Sequence, residues 1–582
     1  MEFIQCKRED DETGDKRTDT DSKGRFIIMI QKKWTVADAI VKELVEAGVD
    51  TIFGIVSIHN MPIYEALLEE GSIRMATARG ESGAVNMADA YSRTTGKLGV
   101  VLTSTGAGAG NGAGSLTETW NSGTPLLHIT GEADYNYIGK DLRYIHECKD
   151  QQKMMDGANK SSYLLRLPHQ ITPFMKTAIR EALEVPKGPV TVSIPTNFQA
   201  KIIPENQFIE TTIEPQDMKI AVPDKIIKAI ASAKRPIVWT GDGIIHSGAS
   251  EELLTLVEKI QPAVVTSESG KGAISEDHPL CIGNFAATPQ FTELLEKSDL
   301  LVSIGVRFRE TETAEGTLPL PENHIHIDLN PHAFNRNYDT KYGLIGDAKD
   351  VLQTINRALE EKEIQLDSSY VEEVKECRQA VRNDLIETIQ PYGEFARVMN
   401  EQLPENTILV TDVTMHGYIW GNKLVDIHEP GNYLHMTGGG IGQGLPMAVG
   451  AKVAQPEKPV VLIAGDGGFM VNAGEMISAV QEDAPIIVLL FDDGGYGILQ
   501  YYQDAAYGRQ TAVHLKNPDF VMMAKSMGFE AEKAASINEF DKVLAKALSS
   551  NQSYMVVVDT DKIGDLKYED SPEYIQSFRP HQ

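Results

Sequence analysis

The chain has 582 residues, of which 42% are hydrophobic and 24% charged, the balance of a globular protein with ample core and room for three or four domains. Its 54 basic and 83 acidic residues leave a net charge of −29, which argues against nucleic acid or an anionic membrane as partner. Cys6, Cys148, Cys281 and Cys377 are scattered without a CxxC pair, so neither a disulfide framework nor a zinc site is expected.

Residues 1–30 are crowded with charge and nearly lack apolar side chains; they are expected to form a disordered tail. With no secretory signal and no apolar span of membrane length, a cytoplasmic protein is expected. From Trp34, helical spacing (Ala37, Ile40, Val41, Leu44) and the strand Thr51–Ile55 begin a βα alternation that fills a first unit, residues 31–200. His59 follows that strand, and an imidazole there is either structural or a proton shuttle near neutral pH. In Ala78-Arg-Gly-Glu81-Ser-Gly-Ala84 the glutamate opens a helix, which suits a dipole-favoured surface acid as well as a catalytic one. The glycine-rich turn Thr103–Asn111 follows, and His146 stands in Tyr144-Ile-His-Glu-Cys148.

A linker rich in Pro and acidic residues, 204–223, leads to a central Rossmann-like unit, 205–360, opening at Pro236-Ile-Val-Trp-Thr-Gly-Asp-Gly243. A third unit occupies 370–560, and a tail without periodicity follows at 561–582. Strands alternating with helices imply parallel, doubly wound sheets, so the expected fold is α/β with three such domains.

The most informative stretch is Leu462–Tyr502. An apolar strand runs into Gly465-Asp466-Gly467-Gly468, a helical pattern follows, and a second buried strand ends in Asp492-Asp493-Gly494-Gly495. Parallel strands joined by a crossover helix put both turns at one carboxyl-end edge, where open α/β sheets bind ligands. Asp466 and Asp493 therefore share one space, and two hard carboxylates completed by phosphate oxygens suit Mg²⁺.

Gly-Asp-Gly followed after about 27 residues by a polar pair closing a buried strand resembles the diphosphate motif of thiamine diphosphate enzymes. The likeness runs from Trp34 to Asp559 and is strongest to the acetolactate synthase group, with 2-oxo acid decarboxylases and benzaldehyde lyase as relatives. It implies pyrimidine-type, middle and diphosphate-type domains in that order. It also implies metal ligation by Asp466, Asp493 and the Gly495 carbonyl, with Asp492-Asp493 where the family has Asn-Asn. Gly465, Gly467, Gly468, Tyr496, Gly497 and Ile498 fall at cofactor-binding positions, and so do Gly439 and Ile441, the latter as the wedge between the two cofactor rings. Glu81 becomes the acid that hydrogen-bonds the aminopyrimidine, a proton relay through the cofactor. His59 matches a histidine position of benzaldehyde lyase, and His146 falls where relatives carry an active-site Gln; both are candidate catalytic groups. His416 and Met415 are placed toward the pyrimidine.

The activity implied is decarboxylation of a 2-oxo acid such as pyruvate to an enamine and its ligation to a second carbonyl compound. The alternatives are a benzaldehyde-lyase-like lyase or carboligase acting on hydroxyketones, and a simple decarboxylase. An FAD-dependent oxidoreductase is the reading from another class. The middle unit resembles the FAD domain of acetolactate synthase, but Asp242 at the would-be pyrophosphate turn repels phosphate, so FAD is not favoured. The resemblance further implies a homodimer or homotetramer with active sites at subunit interfaces. Tyr502 and Ile498 replace the family's Trp and Met and predict altered substrate choice.

Overall fold

The computed structural model describes residues 34–204 and 220–566, together with an antiparallel pair of strands, Arg17–Thr20 and Phe26–Met29. The remainder of the two expected tails and most of the linker lie outside the described residues.

Three six-stranded sheets carry the chain, and every strand pair in them is parallel. The fold class expected from the alternation is the one observed. The first sheet spans Thr51–Gly54 to Pro189–Pro195, the middle one Pro236–Thr240 to Tyr342–Ile345, and the third Ile408–Thr411 to Tyr554–Asp559. Central strands such as Gly99–Thr103 and Leu126–Glu132 are buried throughout, because helices cover both faces of a parallel sheet and leave no polar side. The helices are set by ordinary local chemistry. In Val36–Glu46, Thr35 and Asp38 form a reciprocal capping box, and the apolar stripe Ile40, Val41 and Leu44 is buried.

Counting strands within each unit, the first and third sheets both run 2-1-3-4-6-5, whereas the middle sheet runs 3-2-1-4-5-6, the dinucleotide-binding order. The outer units are packed together: one buried cluster joins Phe53, Val85 and Leu116 of the first to Leu445, Val449 and Met476 of the third. At its centre helix Glu81–Thr95 lies on helix Gly444–Ala454 so closely that a Cβ on Gly450 would stand 2.2 Å from the Met87 carbonyl oxygen. Only glycine fits there. Inside the middle unit Lys271 and Glu276 form a buried ion pair, and Glu276 ties that unit to the third by accepting the Ile427 amide at 2.9 Å. No helix among the described residues is long and apolar enough to cross a membrane.

Candidate functional site

Strand Val460–Gly465 ends at Asp466, which is 1% exposed, and strand Ile487–Asp492 delivers Asp493 beside it. Burial, and then the adjacent Asp466 carboxylate, push Asp493 well above the carboxylate range. Two like charges pressed together in low dielectric are costly unless a cation or a proton intervenes. One oxygen of Asp466, Oδ1, is buried with no hydrogen-bond partner among the described residues. Its other oxygen is held by Asn517 Nδ2, which also donates to Asp492 Oδ1 at 2.7 Å. The Gly495 amide donates to Asp493 Oδ1 at 3.1 Å, and a Cβ on Gly497 would stand 2.4 Å from the other Asp493 oxygen. The segment 494–497 thus wraps Asp493, and the Tyr496 amide fastens it to the Val513 carbonyl at 2.9 Å. Hard oxygens, one of them buried and free, form a donor set that fits Mg²⁺.

The loop that precedes helix Gly444–Ala454 reaches the same place. A Cβ on Gly442 would lie 2.7 Å from the Gly468 carbonyl oxygen, so loop and Gly-Asp-Gly turn touch. Gly439 sits at φ +74°, and Ile441 is 41% exposed, between half-buried Gly440 and buried Gly442. Ser82, next to Glu81, donates to Asn472 Oδ1 at 3.3 Å, and Asn472 Nδ2 donates to the Gly442 carbonyl at 2.7 Å. The start of the Glu81 helix is therefore two hydrogen bonds from the loop carrying Ile441. Glu81 itself accepts from Asn111 Nδ2 at 3.1 Å, and a Cβ on Gly108 would stand 2.8 Å from its Oε1. Among the described residues no hydrogen bond joins Glu81 to the Asp466–Asp493 pocket of its own chain.

His59 and His146, far apart in sequence, converge with ring centroids 4.8 Å apart and Tyr144 at the edge. His59 is 1% exposed; neither ring nitrogen makes a well-formed hydrogen bond, although the Ile145 backbone faces it. Burial and the neighbouring His146 lower its pKa below 6.5, which favours the neutral base. His146 holds a left-handed backbone, φ +61°, and its carbonyl presses on Gly106. Gly106 and Gly108 belong to one turn, so the histidine pair and Glu81 flank the same piece of backbone. Buried Gln151 secures that turn, accepting from the Gly106 amide at 2.7 Å and from the Thr105 hydroxyl at 3.0 Å.

His416 does not join them. Its ring is buried, stacked on Phe491 with centroids 3.8 Å apart, and takes a hydrogen bond from Trp420 Nε1 at 3.2 Å. Asn517, Asp412, Glu118 and Gln151 escaped the sequence reading, since single polar residues in otherwise regular segments carry no spacing signal. In the middle unit the glycine turn is closed by protein: a Cβ on Gly241 would lie 1.9 Å from the Gly305 carbonyl oxygen, and Asp242 is near Arg307 at 3.8 Å.

Family models describing thiamine pyrophosphate enzymes match the chain in three parts: the N-terminal TPP binding domain over residues 34–156, the central domain over 223–355 and the C-terminal TPP binding domain over 412–559. The chain is 32% identical to a probable acetolactate synthase large subunit of Methanocaldococcus jannaschii, over 90% of its own length and 92% of the relative's. It is 29% identical to the acetolactate synthase large subunit of Haemophilus influenzae, with 91% and 95% covered. A probable 2-ketoarginine decarboxylase of Pseudomonas aeruginosa is also 29% identical, over 88% and 92%.

Proposed function

The chain belongs to the thiamine pyrophosphate enzyme family, and from that premise we propose that it decarboxylates a 2-oxo acid such as pyruvate and ligates the product to a second carbonyl compound. The observation that carries this reading is the crowding of Asp466 against Asp493 at a sheet edge, with a buried Asp466 oxygen left free. When bound, thiamine diphosphate supplies a carbon acid whose conjugate base adds to a carbonyl and holds the electron pair that decarboxylation releases. Asp466, Asp493 and the Gly495 carbonyl would hold Mg²⁺, with Gly465, Gly467 and Gly468 lining the diphosphate and Tyr496, Gly497 and Ile498 closing over it. Glu81 would hold a proton on the pyrimidine ring, and Ile441, with Gly439 shaping its loop, would keep the ring oriented, a proximity effect. Neutral His59, with His146 beside it, would accept and return a proton at the substrate oxygen.

A second copy of the chain is part of the proposal. Apolar residues stand exposed on both sides of the site, Val56, Ile58, Leu142 and Ile145 on the first unit and Met470, Val471 and Leu499 on the third. A homodimer or homotetramer would cover them and set Glu81 of one subunit against the Asp466–Asp493 pocket of the other. We place the enzyme in the cytoplasm and route no step through FAD, since the Gly241 turn is filled by Gly305 and carries Asp242. The histidine pair supports a second reading, cleavage of 2-hydroxyketones, because a neutral imidazole suits removal of a hydroxyl proton.

Incubating the protein with thiamine diphosphate, Mg²⁺ and a panel of 2-oxo acids and 2-hydroxyketones tests both. CO₂ together with a ligated product is expected. Aldehyde from hydroxyketones without CO₂ would select the second reading, and no turnover of any member would overturn the proposal.

A further inference from the structure

The loop Thr437–Gly444 bears Ile441 and is gripped at both ends by buried carboxylates that the proposed chemistry leaves without a task. Glu118, 2% exposed, lies on helix Ala107–Ser122 of the first unit. Its Oε1 accepts the Thr437 amide at 2.7 Å and its Oε2 the Gly438 amide at 2.6 Å. Arg93 fixes that carboxylate, standing 2.8 Å from Glu118 and 2.6 Å from Asp89, and donates to the His435 carbonyl at 2.9 Å just before the loop. At the other end Asp412, also 2% exposed, accepts the Gly442 amide at 3.0 Å and the Gly444 amide at 3.2 Å. Between the grips run Gly439 and Gly440, which offer no side chain for the loop's own packing.

We infer that Glu118 and Asp412 are positioning residues that together fix the height and tilt of Ile441, so that the junction between the outer units sets the wedge. This rests on the cofactor site proposed above. The grip depends on matched donors and acceptors. An ionised carboxylate accepts on both oxygens and can take two amides at once, whereas a carboxamide turns a donor toward one of them. A loop rich in glycine keeps much backbone freedom unless its ends are pinned. The pins come from different domains. A small shift of the first unit against the third therefore moves one end of the loop while the other stays.

Glu118→Gln and Asp412→Asn test this, each preserving shape while spoiling one amide contact. Two readouts are taken. In protein without cofactor, hydrogen–deuterium exchange of the peptide spanning 437–444 is expected to quicken about tenfold in each variant. With thiamine diphosphate and Mg²⁺ added, deuterium exchange at the cofactor's C2, followed by NMR after acid quench, is expected to slow about tenfold, with cofactor affinity changed by less than about threefold. Glu482→Gln is the control: Glu482 accepts the Thr77 amide at 2.8 Å and meets Arg74, joining the same two units away from the loop, so it should alter neither readout. If Glu118→Gln does not fold, Asn472→Ala, which frees the Gly442 carbonyl, takes its place with the same expectation. Variants whose loop exchange matches wild type, or whose C2 exchange matches wild type despite a loosened loop, overturn the positioning role. A wild type that does not accelerate C2 exchange at all overturns the proposed function instead.

Discussion

The first and third sheets share one strand order, and their carboxyl-end edges hold opposite chemistry. The first presents bases and an acid set among glycines: His59, His146 and Glu81. The third presents crowded carboxylates, Asp466, Asp493 and Asp492, with Asn517 bridging two of them. Topology delivers an address, and the residues in the turns decide what is done there. The middle sheet makes the point from the other side. Its order is the dinucleotide-binding one, yet its glycine turn is packed shut by Gly305 and carries an acid.

The proposed contrast, a proton-handling edge against a cation-holding one, can be broken experimentally. Glu81→Ala should lower kcat by about 10²–10⁴-fold and leave Mg²⁺ affinity near wild type, whereas Asp466→Asn should lower Mg²⁺ affinity, with activity recovering as Mg²⁺ is raised. Steady-state kinetics over a Mg²⁺ titration separates the two, and identical behaviour would dissolve the division. The middle unit enters through Glu276, which holds Ile427 of the third: Lys271→Met strands that carboxylate in the interior and should cost about 3–5 kcal/mol in urea unfolding. Asn517→Ala should weaken Mg²⁺ binding about 10–100-fold by calorimetry, since an outer partner orients Asp466.

The smallest effect falls on one buried histidine in each outer unit, His128 and His416. Burial lowers His128 and His416 to about 3, so each stays neutral in the folded chain while the unfolded chain takes up a proton near 6.5. The stability this neutrality confers is full above pH 6.5 and is lost as pH falls from there toward 3. At pH 5.5 each should account for about 1.4 kcal/mol of the loss, and His416→Phe should flatten that limb by one proton in acid unfolding.

Much of this was legible in the residues. Buried strands ending in Gly-Asp-Gly and Asp-Asp-Gly-Gly announce two turns at one edge, and the period of the helices announces the layers. What the sequence hides is the partner of a lone polar side chain. Glu118 sits in a helix where a single glutamate reads as solvated, yet it is buried because the loop of another domain lands on it. Asn517 lies 25 residues beyond Asp492, too far for any spacing rule. His416 errs in the other direction: its place after a strand suggests the pocket, but the π-helical turn Gly417–Gly421 follows it and its ring packs under Phe491. Strand order, too, is decided by crossovers that local periodicity does not encode.

Gly450 lies directly on the Met87 backbone. Backbone seated on backbone leaves no yielding layer of side chains between the two helices, so any shift of one outer unit against the other meets resistance first at this contact. A methyl group added at residue 450 would act as a shim, and its reach would be felt at every contact the two units share.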